Sequence, residues 1–155
     1  MPNAVNAHLT VRSKCDELCS IRCFVADAAK QAGFSDDDTE RIVLAVDEAC
    51  TNVIRHGYAA DPSSTLSLHI DIQDDCFVVT IDDSGKQYDI RHHEVPNMHE
   101  YFQARRTGGL GIKLIKMLVD KIEYHRANDH NRLILTKHLP EANATTSSPS
   151  QVIIS

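Results

Sequence analysis

No stretch of the 155-residue chain is apolar for anything near the roughly 18 residues that cross a bilayer, so no membrane-spanning segment is expected. The first ten residues, from Met1 to Thr10, have neither a basic start nor an apolar stretch, and no secretory signal is read there. An excess of positive charge is also missing: 16 Lys and Arg stand against 22 Asp and Glu, a formal net charge of −6. Phosphate-backbone binding needs clustered Lys and Arg, so a broad nucleic-acid surface is not expected. Paired cysteine spacing is absent too. Five cysteines is an odd count, and reduced thiols in a cytoplasmic protein are the economical reading. Cys15, Cys19 and Cys23 recur every four residues and would form one stripe on a helix. A metal site there is conceivable, but the expectation is small buried hydrophobes.

What is present is an ordinary globular composition, 42% hydrophobic and 25% charged. The length fits one domain that buries roughly 68–70% of its unfolded surface. Residues 7–12 alternate as a short strand, and Ser13 is placed to cap a helix running to about Ala32. Leu18, Ile21, Val25, Ala28 and Ala29 form the apolar face of that helix, and Gly33 is its stop signal. Ser35-Asp36-Asp37-Asp38 opens a second helix, where acids suit the positive end of the dipole. Ile42, Val43, Val46, Ala49, Cys50 and Val53 then recur at helical spacing until Gly57.

Residues 66–72 and 76–81 read as a hairpin about Gln73-Asp74-Asp75. Residues 84–107 show no strand period, although residues 97–105 suit a short helix; a loop of that length inside a domain is usually functional. A third helix starts at the following glycines and carries Ile112, Leu114, Ile115, Leu118 and Val119. Residues 122–126 and 133–136 make a closing hairpin around Asn128-Asp129-His130-Asn131. The tail, residues 141–155, is rich in Ser, Thr, Asn and Ala and is expected to be disordered. One domain over residues 7–140 follows, of α+β class: a mixed, mostly antiparallel sheet with about three helices on one face.

Three places offer chemistry. In the second helix, Glu48 and Asn52 are four residues apart and hence on one face, beside Ala49 and Val53. Mg²⁺ takes hard oxygen ligands and needs only one or two from protein when phosphates and water supply the rest. Asn52 can be such a ligand without adding charge, and Glu48 can take a proton from an attacking hydroxyl. The plain alternative is a solvated Glu and Asn. At the end of a strand, Ile81-Asp82-Asp83-Ser84-Gly85 offers a carboxylate for an exocyclic amine and a glycine that lets a base approach the backbone. The same string also suits an ordinary turn. Thr107-Gly108-Gly109-Leu110-Gly111-Ile112 enters a helix, where free backbone N–H groups can cradle phosphate. It lacks the Gly-Lys-Ser/Thr ending of a Walker loop and is not the dinucleotide fingerprint.

The three together, in this order, resemble the GHKL (Bergerat-type) ATPase superfamily. Glu48-Ala49-Cys50-Thr51-Asn52 with Ile54-Arg55-His56-Gly57-Tyr58 is similar to its N-box, most like the branch of bacterial anti-sigma-factor serine kinases. Asp83-Ser84-Gly85 with Tyr88-Asp89 resembles that branch's adenine box, and Gly108-Gly109-Leu110-Gly111-Ile112 its second glycine box. The resemblance implies a two-layer α/β sandwich with ATP and Mg²⁺ held between helices and under a lid. Asn52 would ligate Mg²⁺, Glu48 would be the general base and Asp83 would hold the adenine amine. Gly85, Thr107, Gly108, Gly109, Leu110 and Gly111 would shape the cavity and hold phosphate. It also implies phosphorylation of a serine on an anti-anti-sigma partner, binding of a sigma factor, and a homodimer. Within the lid, residues 86–106, Arg105 and Arg106 are candidate γ-phosphate contacts, and His92, His93 and His99 read as surface residues.

A histidine-kinase ATPase domain would follow a helix bearing a phospho-accepting histidine, and His8 lies in no such helix. Gyrase-type and mismatch-repair ATPases would need a following domain that supplies a lysine. The alternative of a different class is a non-catalytic, nucleotide-dependent module that sequesters a regulator. Glu48 favours the enzyme, since ATP binding alone does not need it.

Overall fold

Alternation and helical spacing become six strands and three α-helices in a computed structural model, which describes residues 4–56, 65–83, 111–127, 130–140 and 151–154. The strands are β1 (Asn6–Arg12), β2 (Thr65–Gln73), β3 (Cys76–Asp83), β4 (Lys121–Ala127), β5 (His130–His138) and β6 (Gln151–Ile154). They form one sheet in the order β1-β2-β3-β5-β4-β6. Among the described strands only the β4–β6 pair is parallel. Helices α1 (Leu18–Gln31), α2 (Asp36–His56) and α3 (Gly111–Leu118) make the second layer, with α2 packed between α1 and α3. This is the expected two-layer α/β sandwich.

Local chemistry explains most element ends. Ser35 caps α2, its Oγ accepting the Asp38 N–H at 3.1 Å, with Asp36 and Asp37 in the same positive first turn. At the end of α1, Gly33 takes φ 100°, the Phe34 N–H reaches Ala29 O at 3.2 Å and the Gly33 N–H reaches Lys30 O at 3.0 Å. That is the paired six-to-one and five-to-two closure for which glycine is favoured. Phe34 is thereby turned into the core, edge-on to Phe77 with ring centroids 5.4 Å apart. The β2–β3 hairpin turns on Asp74 and Asp75 at φ 47° and 59°, left-handed at both central positions, as a two-residue type I′ loop requires.

Strand alternation sends Leu66, Leu68 and Ile70 of β2 and Phe77, Val79 and Ile81 of β3 to the helix side, where they meet Ile21, Val25, Ile42 and Val46. Full burial of each such side chain contributes about 1.5–3 kcal/mol.

Three expectations are corrected. Ser13 does not cap α1. A 3₁₀ turn at Cys15–Glu17 comes first, and backbone bonds close the strand-to-helix bend, Lys14 N–H to Arg12 O at 2.8 Å and Glu17 N–H to Lys14 O at 3.0 Å. Cys15, Cys19 and Cys23 are exposed and unbridged. A helix buries one stripe, and Leu18, Ile21, Val25, Ala28 and Ala29 take it. Among the described residues no group of three His, Cys, Asp or Glu is arranged to hold a metal, and no helix is long and apolar enough to cross a membrane. The tail is not wholly without structure: Gln151–Ile154 forms β6, and its Val-Ile-Ile run pairs with the otherwise open edge of β4. Residues 141–150 and the helix expected at 97–105 lie outside the described residues.

Candidate functional site

Helix α2 carries the first two candidates because its inner stripe of Ala45, Ala49 and Cys50 passes into polar residues near its C-terminal end. Asn52 continues the stripe and is only 4% exposed. Its Nδ2 is sealed from solvent and has no hydrogen-bond partner among the described residues. Glu48, one turn earlier on the same side, is half-buried. The adjacent acid does something else. Asp47 accepts the Arg22 Nε–H at 2.9 Å, an exposed α1–α2 pair that holds the Arg22 pKa above its usual value. Cys50, inside the same string, is fully buried, and that burial pushes its thiol pKa up. It is a small neutral core residue and offers no thiolate for chemistry.

The third candidate enters from the sheet. Asp82 and Asp83 are neighbours at the end of β3, and alternation points them to opposite faces. Asp82 faces the open side and pairs with Arg132 across the β3–β5 ladder, at 2.7 Å from Nε and 3.3 Å from Nη2. Asp83 faces the helices and is 1% exposed. A carboxylate so enclosed is costly unless hydrogen bonds or a ligand compensate it. Helix α2 packs against β3, so the buried carboxamide and the buried carboxylate belong to the same interlayer space.

Gly111 opens α3, whose first-turn backbone N–H groups have no partner within the helix, and α3 lies against α2. Gly85, Thr107, Gly108, Gly109 and Leu110, the arginines at 105 and 106 and the rest of residues 84–110 lie outside the described residues. The structure therefore places Glu48, Asn52, Asp83 and Gly111 and leaves the other expected contacts unplaced.

Sequence reasoning missed one residue at this end of the sheet. Asn131 looked like a turn residue, but β5 begins at His130 and Asn131 stands opposite Asp83. Its Oδ1 accepts the Tyr124 hydroxyl at 2.8 Å. Counting back in twos from the core residues Leu135 and Leu133 would have put Asn131 on the helix face.

The oxygen that Asn52 offers is of the kind that suits a hard cation. Asn52 has a buried carboxamide whose Nδ2 finds no partner among the described residues, and its Oδ1 is a neutral oxygen ligand of the kind Mg²⁺ accepts.

Residues 11–137 match the family model described as a histidine kinase-like ATPase domain. The serine-protein kinase RsbW of Halalkalibacterium halodurans is 34% identical over 119 residues, covering 74% of this chain and 72% of that protein. RsbW of Bacillus subtilis is 27% identical over 144 residues, 88% of each chain. Among solved structures, the RsbU and RsbW domains of a Mycobacterium tuberculosis protein superpose with a TM-score of 0.63 at 18% identity, over 96% of this chain. That likeness shows the fold, and this chain spans 34% of that structure's length.

Proposed function

Because the chain belongs to the histidine kinase-like ATPase family, on the branch of the RsbW serine-protein kinases, we propose that it is itself a serine-protein kinase. ATP with Mg²⁺ is the donor, a serine on an anti-anti-sigma protein is the acceptor, and the same protein, as a homodimer, binds a sigma factor. The observation that carries this reading is two enclosed polar side chains, Asn52 on α2 and Asp83 on β3, among described buried residues that are, Thr39 apart, otherwise hydrophobic. A buried amide whose Nδ2 finds no partner among the described residues lowers stability unless a ligand completes it, and a nucleotide with its metal is the ligand that makes use of Asn52 and Asp83 together.

Asp83 accepts the adenine amine, and Gly85 leaves room for the base. Gly108, Gly109 and Gly111, with Thr107 and Leu110, line the phosphate end, where the N-terminal amides of α3 face negative charge. Asn52 would hold Mg²⁺, which when bound neutralises charge on the phosphates. Phosphoryl transfer asks a protein chiefly for position and electrostatics. Glu48, one turn from Asn52, orients the serine hydroxyl. As the serine Oγ–P bond forms and the bond from the γ-phosphorus to ADP breaks, the hydroxyl proton passes to Glu48.

Glu48→Gln keeps size and removes the base. Single-turnover transfer to a cognate anti-anti-sigma protein should fall by about 10²–10⁴, with ATP affinity nearly unchanged in calorimetry. Transfer at the wild-type rate would remove the base role from Glu48. If the wild-type protein binds ATP and a sigma factor but transfers nothing, the chain is a nucleotide-dependent binding module.

A further inference from the structure

Cys76 and His138 stand opposite each other at the end of the β3–β5 ladder, on the open face and at the other end of β3 from Asp83. The two ends of β3 are about 23 Å apart at the ordinary rise of a strand, so a small ligand here is remote from the proposed nucleotide site. Residues directly opposite carry Cβ atoms about 4.5–5.5 Å apart, and Cys76 Sγ lies 3.3 Å from His138 Nδ1. The backbone beneath the pair is held. Asp120 Oδ2 accepts the His138 N–H at 2.7 Å, and Asp75 O accepts the Leu139 N–H at 2.9 Å. The pair opens into a cleft of about 630 Å³ floored by Val78 and Ile134. Asp74, Asp120 and Glu123 line it against one lysine, Lys121, whose Nζ is 3.4 Å from Glu123. That balance of charge favours a cation. His138 is exposed and Cys76 half-buried, so an ion can enter from water.

We infer that Cys76 and His138 form a binding site for zinc, the ion taking the place of the proton between sulfur and nitrogen. The thiol proton leaves to water, sulfur and Nδ1 each donate a lone pair to the ion, and Nε2 keeps the imidazole hydrogen. Tetrahedral zinc, with arms of about 2.3 Å to sulfur and about 2.0–2.1 Å to nitrogen, sets two such donors about 3.6 Å apart. The separation already present is close to this, and the paired strands preorganise it. Two protein donors are fewer than a closed structural site has, so water takes the remaining positions, with its hydrogens toward the acidic lining. Sulfur and imidazole suit zinc, while Mg²⁺ takes oxygen. The site therefore selects a different metal from the one proposed at Asn52. Bound there, zinc clips the start of β3 to the end of β5 and stabilises the sheet.

The test uses the full chain carrying Cys15→Ser, Cys19→Ser and Cys23→Ser, which removes the exposed α1 thiols from competition, in buffer without nucleotide. With zinc about a hundredfold above its Kd, the melting temperature should rise by about 5–10 °C. Cobalt(II) in place of zinc should give a thiolate-to-cobalt charge-transfer band that saturates at one ion per chain. Adding Cys76→Ser should abolish both the band and the zinc-induced rise. Adding His138→Gln should keep the thiolate band and weaken binding by at least the roughly tenfold that loss of an outer-shell partner costs. Each variant is read against its own metal-free melting temperature, so a change in basal stability does not enter, and Cys76→Ala serves if Cys76→Ser folds poorly. A zinc-induced rise that survives loss of the Cys76 thiol would overturn the inference, as would the absence of any rise or of the cobalt band. An equal rise with Mg²⁺ would do the same, since it would reduce the site to an acidic cleft without metal preference.

Discussion

The helix-covered face of the sheet and its open face are drawn from the same strands, yet they treat polar side chains in opposite ways. On the open face polar groups find each other beside water: Thr10 Oγ1 with Ser67 Oγ at 3.0 Å, His69 Nε2 donating to Asn6 Oδ1 at 3.0 Å, and Arg132 Nε to Asp82 at 2.7 Å. In the layer between the covered face and the helices the surroundings are Leu, Ile, Val and Phe, and the buried polar residues include Asn52 of α2, whose Nδ2 finds no partner among the described residues. A chain selected for stability alone would do the reverse, because an unmatched buried polar group costs about 1–3 kcal/mol and an exposed one costs almost nothing. Departures of this kind concentrate where a ligand is meant to complete the set. The comparison turns burial into a functional signal: Asp82 and Asp83 are chemically identical and adjacent, and only their faces differ.

The largest effect that would break this comparison is on stability. Phe77→Ala, on the covered face, should lower the unfolding free energy by about 3–5 kcal/mol in denaturant titration. Thr80→Ala, which is half-buried on the open face, should stay within about 0.5 kcal/mol. Equal losses would mean that the sheet is not covered on one side only. A second contrast sharpens the roles of the paired acids. Asp83→Asn replaces a charge-assisted acceptor and should weaken ADP binding by about 1.5–3 kcal/mol, roughly ten- to hundredfold. Asp82→Asn should leave ADP affinity at the wild-type value, since its carboxylate serves Arg132 on the other face. An equal response of the two variants would remove the face argument. The smallest effect is the most particular. Asn52→Leu removes the buried amide while filling its space, so stability should hold or rise by about 1 kcal/mol, while the Mg²⁺-dependent gain in ATP affinity shrinks. A stability loss like that of Phe77→Ala would show the amide to be a structural bond.

Much of the molecule was legible because its causes are local. The Ser35 cap with its acidic first turn, the glycine closure after α1 and the two-residue turn at Asp74 and Asp75 each act over a few residues, and each can be read from those residues alone. Spacing by itself put Glu48 and Asn52 on one helical face, and the glycine string marked the start of α3 at Gly111. The exposed cysteines show where local reading stops. Their four-residue repeat is as regular as that of the core residues, and only competition with Leu18, Ile21 and Val25 for the single buried stripe sends them outward.

What the sequence by itself determined, then, is the positions of most helices and strands, the mostly antiparallel α+β class and the order of three candidate motifs. Tertiary structure alone decided which of two adjacent aspartates is enclosed, that a four-residue tail segment closes the β4 edge, and that a residue placed in a turn stands opposite Asp83. Those outcomes depend on register between strands distant in the chain, Asp83 with Asn131 and Ile122 with Val152. A periodicity records that a segment has two faces, and it is the partner strand or helix, brought in from elsewhere in the chain, that makes one of them dry.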